Sequence, residues 1–134
     1  MMTEALLCLA LNIYHESRGE PLAGQIATAN VVMNRVESPR YPNDICSVVK
    51  QGQYWKGNPV RDKCSFSWWC DGKSDTPEDV DAWRQSISLA FRVQNDVIPD
   101  ITEGATHYHA IYVSPYWADH YISVAQIGQH IFYR

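Results

Sequence analysis

The chain has 134 residues, enough for one domain (1–134) with a buried core but short for two. A hydrophobic content of 46% with 19% charged residues fits a globular protein and excludes an intrinsically disordered one. The net charge of −4, from 15 acidic and 11 basic residues with no basic run, argues against a nucleic-acid partner.

The start, Met1-Met2-Thr3-Glu4-Ala5-Leu6-Leu7-Cys8-Leu9-Ala10, has no basic leader and reads as helix rather than signal peptide. Thr3 is placed to cap it, and Leu6, Leu9, Ala10, Ile13 and Tyr14 recur at helical spacing. Glu16 then falls in the last turn, and Gly19 breaks the run. Pro21 suits the first position of a second helix, whose expected apolar stripe is Leu22, Ile26, Ala29, Met33 and Val36, widened by Ala23, Ala27 and Val32. Asn34 and Arg35 interrupt its end and are read as a bracing network, because buried amides and guanidinium groups need partners.

Residues 38–75 are punctuated by Pro and Gly, so a short helical turn over 44–51 is expected but no long element. So long an irregular stretch, rich in Tyr54, Trp55, Phe66, Trp68 and Trp69, reads as a functional loop. Thr76-Pro77-Glu78-Asp79 predicts a helix start with Thr76 as the cap, continuing through Val80, Trp83, Ile87, Ala90 and Phe91 to about Asn95. Residues 106–113 alternate as a strand, with His107, His109, Ile111 and Val113 on one face and Tyr108, Ala110 and Tyr112 on the other. Pro115 ends it, Tyr116-Trp117 begins an aromatic loop, and 122–133 returns as one antiparallel strand bent at Gly128. No apolar run is long enough to cross a bilayer, so no transmembrane segment is expected.

Cys8 lies on an apolar helix face and reads as a small buried hydrophobe. Cys46, Cys64 and Cys70 allow one disulfide with a third thiol left over. The five Trp, eight Tyr and three Phe suit a core, and equally a cleft that grips flat sugar faces.

Glu16 is the candidate catalytic acid. A carboxyl group serves as a general acid near neutral pH when apolar walls raise its pKa, and a helix end facing an aromatic loop supplies such walls. Two other classes compete. His107 and His109 share a strand face and could bind zinc with His120, His130 or a cysteine, as in a peptidoglycan peptidase or amidase. A non-enzymatic glycan-binding module would use the aromatics and have no need of Glu16.

The blocks Tyr14-His15-Glu16-Ser17-Arg18-Gly19-Glu20-Pro21 with Gly24-Gln25, Val31-Val32-Met33-Asn34-Arg35-Val36, Cys64-Ser65-Phe66-Ser67-Trp68, Gly104-Ala105-Thr106-His107-Tyr108-His109, Pro115-Tyr116-Trp117 and Ile127-Gly128-Gln129-His130-Ile131-Phe132-Tyr133 run in order over nearly the whole chain. Together they resemble the SleB/CwlJ-type cell wall hydrolase family. The resemblance implies an α+β, mainly α, lysozyme-like single domain with a small antiparallel β element. It also implies action on peptidoglycan glycan strands, Glu16 as catalytic acid, and neither cofactor nor metal. Ser65 departs from the pattern, since many members carry Gln before the Phe, and no leader or wall-binding module of the family's kind is expected within these residues.

On that resemblance the expected reaction is cleavage of the MurNAc–GlcNAc bond. A lytic transglycosylase manages with Glu16 alone, whereas a hydrolysing muramidase needs a second carboxylate. Glu20, Asp44, Asp71 and Asp75 are the candidates for it, with Asp71 and Asp75 expected in solvent, and the single-acid reading is favoured. Tyr108 is placed either at the cleft or in the core, and Phe66 and Trp68 either stack on sugars or pack inside. Ser17 either bonds an N-acetyl group or caps the helix, while Glu20, His109 and Trp117 complete the expected substrate contacts. A monomer is expected, acting at the cell wall or periplasm, in the manner of a phage or prophage endolysin or a truncated bacterial enzyme.

Overall fold

In the computed structural model, which describes residues 2–134, Thr3 caps helix α1 (Glu4–Ser17) by accepting from the Leu6 amide at 3.2 Å. Leu9, Ala10 and Ile13 are wholly inaccessible on the face that packs against the other helices. Burial of Leu or Ile side chains like these contributes about 1.5–3 kcal/mol each. Helix α2 (Leu22–Glu37) begins with Pro21 as its cap residue, one position later than expected. Of its expected stripe, Ala27, Ala29 and Val32 are inaccessible and Ile26, Met33 and Val36 pack half-buried against the core, while Val31 is also inaccessible and Leu22, at the helix start, is 54% exposed. Small side chains on that face let α2 lie between α1 and the sheet.

Helix α3 (Ile45–Val49) is capped by Asp44, whose two oxygens accept from the Ser47 amide and hydroxyl. The next segment corrects the loop expectation. Strands β1 (Gly52–Trp55) and β2 (Asn58–Cys64) form an antiparallel hairpin, turned at Lys56 and Gly57, both at positive φ. Two positive-φ residues between strands give the turn whose twist matches a hairpin, and Gly57 takes that conformation without strain. Trp55 stands 70% exposed at its tip. A 3-10 turn, Ser67–Cys70, follows.

Helix α4 (Val80–Gln94) starts later than Thr76 because the Tyr14 hydroxyl accepts from both the Glu78 and Asp79 amides at 3.1 Å, and Asp79 caps instead. It ends at Asn95 as expected. Its packed face is Ser86, Leu89, Ala90 and Val93, so Val80 and Phe91, assigned inward from sequence, are 57% and 55% exposed.

The loop before the sheet is held by Asp100. Its carboxylate accepts from Thr102, Gly104 and the Asn34 amide, and Asn34 also reaches the Ala105 carbonyl at 2.9 Å. Arg35 donates from Nε to the Thr106 carbonyl at 2.7 Å, with its guanidinium over the rings of Tyr41 and Phe66. These are the braces read from α2. They set the start of β3 (His107–Ala110), which pairs with β5 (His130–Tyr133), itself paired with β4 (Ser123–Ile127). The final segment is therefore two strands rather than one, joined at Gly128, φ 57°. A 3-10 turn, Tyr116–His120, forms the aromatic loop. The architecture is α+β and mainly helical, with a helical core and a smaller cluster (Ala27, Val31, Ala105 and Phe132) that joins α2 to the sheet.

All four cysteines are paired, Cys8 with Cys46 and Cys64 with Cys70. Cys8 is buried as expected, but as half of a crosslink tying α1 to α3. A cysteine on a helix face carries no sequence sign that its partner lies on the next helix packed against it. Among the described residues no helix is long and apolar enough to cross a membrane.

Candidate active site

Glu16 sits in the last turn of α1, half-buried, where the helix meets the sheet. The Tyr108 hydroxyl, brought in by β3, donates a hydrogen bond to Glu16 Oε1. Among the described residues Oε2 has no protein partner and is the natural seat of a proton. Burial pushes the Glu16 carboxyl above its ordinary value; the Tyr108 bond and then His130, Arg35 and His15 oppose that rise without cancelling it. Tyr108 itself is pushed well above the usual phenol value, by burial first and then by Glu16, so it stays a donor.

Glu16 opens into a polar cleft of about 420 Å3, whose walls include Tyr14, His15, Trp68, Asp71 and Asp75. One wall is fixed by a chain of contacts. Asn12, fully buried, accepts from Trp68 Nε1 at 2.8 Å, and His15 stacks on Trp68 with ring centroids 4.7 Å apart. His15 Nε2 then donates to the Asp75 carbonyl at 2.8 Å. Asn12 and His15 escaped the sequence reading. Their signal was a polar residue one helical turn before Glu16 and an imidazole immediately beside it.

A larger depression, about 660 Å3, lies between the start of α1, α3 and β1 and is lined by Glu4, Asp44, Lys50 and Tyr54. It does not include Glu16. Asp44, there, is occupied in capping α3, which holds its pKa below the usual range, and it is no partner for Glu16. Asp71 and Asp75 are the correction: both are half-buried and face the Glu16 cleft, where solvent had been expected. Burial raises the Asp75 carboxyl, the His15 charge opposes this, and Asp71 adds to it.

The remaining candidates divide. Ser17 is buried and donates to the Ile13 carbonyl at 3.0 Å, so it closes the helix rather than facing the cleft. Phe66 is buried beneath the Arg35 guanidinium. Trp68 presents only an edge, at 6% exposure, to the cleft it helps to line. Glu20 Oε1 accepts from the Gln129 amide at 2.9 Å and from His130 Nδ1 at 3.0 Å. His109 and Trp117 lie on the sheet face opposite Tyr108, in a cluster with His107, Tyr121 and Tyr133. Of the candidates, the fold brings Glu16, Tyr108 and Trp68 to one place; the others are engaged with protein partners.

The histidine pair of the competing zinc reading is likewise engaged. His107 meets the Thr106 hydroxyl through Nδ1 and the Tyr41 hydroxyl through Nε2, and its pKa is lowered to about 4 by burial, Arg35 and Arg40. His109 donates from Nδ1 to the Ala110 carbonyl and accepts at Nε2 from Tyr133. Every cysteine is in a disulfide, and among the described residues no three His, Cys, Asp or Glu side chains gather as a metal site.

A family profile described as Cell Wall Hydrolase matches residues 19–133, beginning just after Glu16. A spore cortex-lytic enzyme of Halalkalibacterium halodurans is 30% identical over 125 residues, covering 92% of this chain and 33% of that protein. One of Bacillus subtilis is 49% identical over 41 residues, covering 31% of this chain and 13% of that protein. The chain thus spans a third or less of these relatives. The catalytic domain of the germination-specific lytic transglycosylase SleB from Bacillus anthracis superposes with a TM-score of 0.72 at 24% identity, covering 100% of this chain and 97% of that one. The catalytic domain of the Bacillus cereus SleB protein gives 0.65 at 26% identity, with 100% and 93% covered.

Proposed function

The chain belongs to the Cell Wall Hydrolase family, and from that premise we propose that it is a peptidoglycan lytic transglycosylase with Glu16 as its single acid and base. The observation that carries this reading is the state of Glu16: half-buried, its pKa raised by burial, one oxygen held by Tyr108, and the residue lining a polar cleft. That is the environment a general acid needs near neutral pH.

In the proposed reaction the Glu16 carboxyl protonates the oxygen joining N-acetylmuramic acid to N-acetylglucosamine. The bond from muramic C1 to that oxygen breaks with its electron pair on the departing sugar, and C1 becomes oxocarbenium-like. The Glu16 carboxylate takes the proton of the muramic C6 hydroxyl as O6 bonds to C1. A 1,6-anhydro ring closes, Glu16 is again protonated, and no water is consumed. Trp68, braced by Asn12 and His15, fixes one wall of the cleft from beneath. Two disulfides suit work at the wall, outside a reducing cytosol.

A second reading, the hydrolysing muramidase, is favoured by one observation, the presence of Asp75 in the same cleft. Mass spectrometry of digested sacculi separates the two. Anhydro-muropeptides are expected; reducing-end muropeptides would transfer the reaction to hydrolysis, and cut stem peptides with intact glycans would refute both. Glu16→Gln keeps the shape and the bond from Tyr108 but cannot give a proton. It is expected to lower turnover by about 10²–10⁴-fold.

A further inference from the structure

Glu20 and His130 take no part in the chemistry above, yet they meet in a carboxylate–imidazole hydrogen bond that is shielded from water. Their side chains are 13% and 17% exposed, against 76% and 69% for Arg61–Asp62. Taking polar side chains out of water costs free energy that one hydrogen bond largely offsets, so a contact of this kind is better explained by what it positions than by its stability.

The receiving end is built for it. Glu20 Oε1 accepts from the Gln129 amide as well as from His130, and a Cβ on Gly128 would stand 2.6 Å from that same oxygen. With φ at 57°, only glycine fits the turn and leaves room for the carboxylate. The pair therefore locks the β4–β5 turn to the segment joining α1 and α2.

The other end of His130 points at the active site. Tyr108 is paired with Phe132 across β3 and β5, and His130, two residues back along β5, shares their sheet face. The Tyr108 ring meets Phe132 at 5.4 Å and the edge of His130 at 5.2 Å, 85° apart in plane. Its hydroxyl ends on Glu16.

We propose that His130, fixed by Glu20, is a positioning residue that holds the Tyr108 hydroxyl on the catalytic carboxyl. This gives both glutamates of the Glu16-to-Glu20 block a part in one device: Glu16 reacts, and Glu20 aims the donor that Glu16 needs. It rests on Glu16 being the acid.

The test is a double-mutant cycle on soluble glycan strands stripped of peptide, with Glu16→Gln as control. His130→Ala is expected to lower kcat by up to about tenfold, no more than loss of the Tyr108 hydroxyl itself, with KM within about twofold. In a Tyr108→Phe background the same change should alter kcat by less than about twofold, because the group it positions is gone. Full multiplicative losses, a KM effect alone, or an unchanged rate would overturn the proposal. His130→Gln, whose amide can still reach Glu20 but offers no ring edge, must show the same coupled loss, which separates positioning from folding. An inactive Glu16→Gln with an uncoupled cycle removes only the brace; an active Glu16→Gln removes the acid and the brace together.

Discussion

Replacing Tyr108 by Phe deletes one oxygen at the point where the sheet touches Glu16, and its consequences can be worked out in two assays. The hydroxyl donates to Oε1, and this bond is the largest influence lowering the Glu16 pKa against the rise caused by burial. A hydrogen bond to a charged group contributes roughly 1.5–3 kcal/mol and one to a neutral group roughly 0.5–1.5, so ionised Glu16 loses about 1.4 kcal/mol more than protonated Glu16. That difference is about one pKa unit. The alkaline limb of kcat/KM, which reports the acid of the free enzyme, should therefore move about one unit upward, while the plateau falls about tenfold for want of alignment. The second assay is stability. The folded Glu16 value lies above its ordinary 4.5, so its protonation stabilises the fold at acid pH, and that contribution is lost as pH rises through the folded value. Urea unfolding of the variant should thus show an extra deficit of about 1.4 kcal/mol at pH 8 relative to pH 4. An alkaline limb that stays in place while the plateau drops would refute the electrostatic account and leave Tyr108 only a steric role.

Two further outcomes follow from the fold. Asp75→Asn should leave turnover within about threefold and the anhydro products unchanged if Glu16 works alone, whereas a loss of about 10²-fold, read by chromatography of digested sacculi, would make Asp75 the base of a hydrolase. Replacing Cys8 and Cys46 by Ser opens a crosslink spanning 38 residues, which on loop entropy stabilises by about 4 kcal/mol; opening Cys64–Cys70, six residues apart, should cost nearer 2 kcal/mol, both read from denaturant midpoints.

The candidate acid was legible from sequence because a helix cap at Thr3 and the break at Gly19 fix where α1 ends, and Glu16 falls there whatever surrounds it. Tyr108 was legible only as one face of an alternating strand; that this face meets Glu16 depends on the Asp100 and Arg35 braces, contacts some 70 residues apart that no local pattern encodes. The hairpin at 52–64 was missed because Gly and Pro mark both loops and tight turns, and Lys56-Gly57 lacks the Asn-Gly or Asp-Gly pair that separates the two. The same limit misplaced the start of α4. Thr76-Pro77 is a sound local signal, but the Tyr14 hydroxyl takes the amides a helix would have begun with. The Cys8–Cys46 disulfide lay beyond local reasoning for the same cause, since the two meet only after α1 and α3 have packed, whereas Cys64–Cys70, six residues apart, falls within the one disulfide the sequence allowed.

The charges around Glu16 bear on how, in the proposed reaction, one group would serve as acid and then as base. Three positive or potentially positive side chains, His130, Arg35 and His15, act on it, and any of them in direct contact would lower its pKa by about 1–3 units and leave it ionised before substrate arrives. None forms an ion pair with it among the described residues. Each is engaged elsewhere: Arg35 with the Thr106 carbonyl, His15 with the Asp75 carbonyl, His130 with Glu20. Held one layer back, these groups leave burial in command of the resting carboxyl. Once the proton has moved to the glycosidic oxygen, the same groups face a full negative charge, and their attraction is greatest at that moment. Stabilisation that grows as the proton leaves is the kind that lowers a barrier rather than deepening the ground state. On this argument Arg35→Met should raise the alkaline limb while slowing turnover, whereas an Arg35 that only braced β3 would change stability and leave the limb where it was.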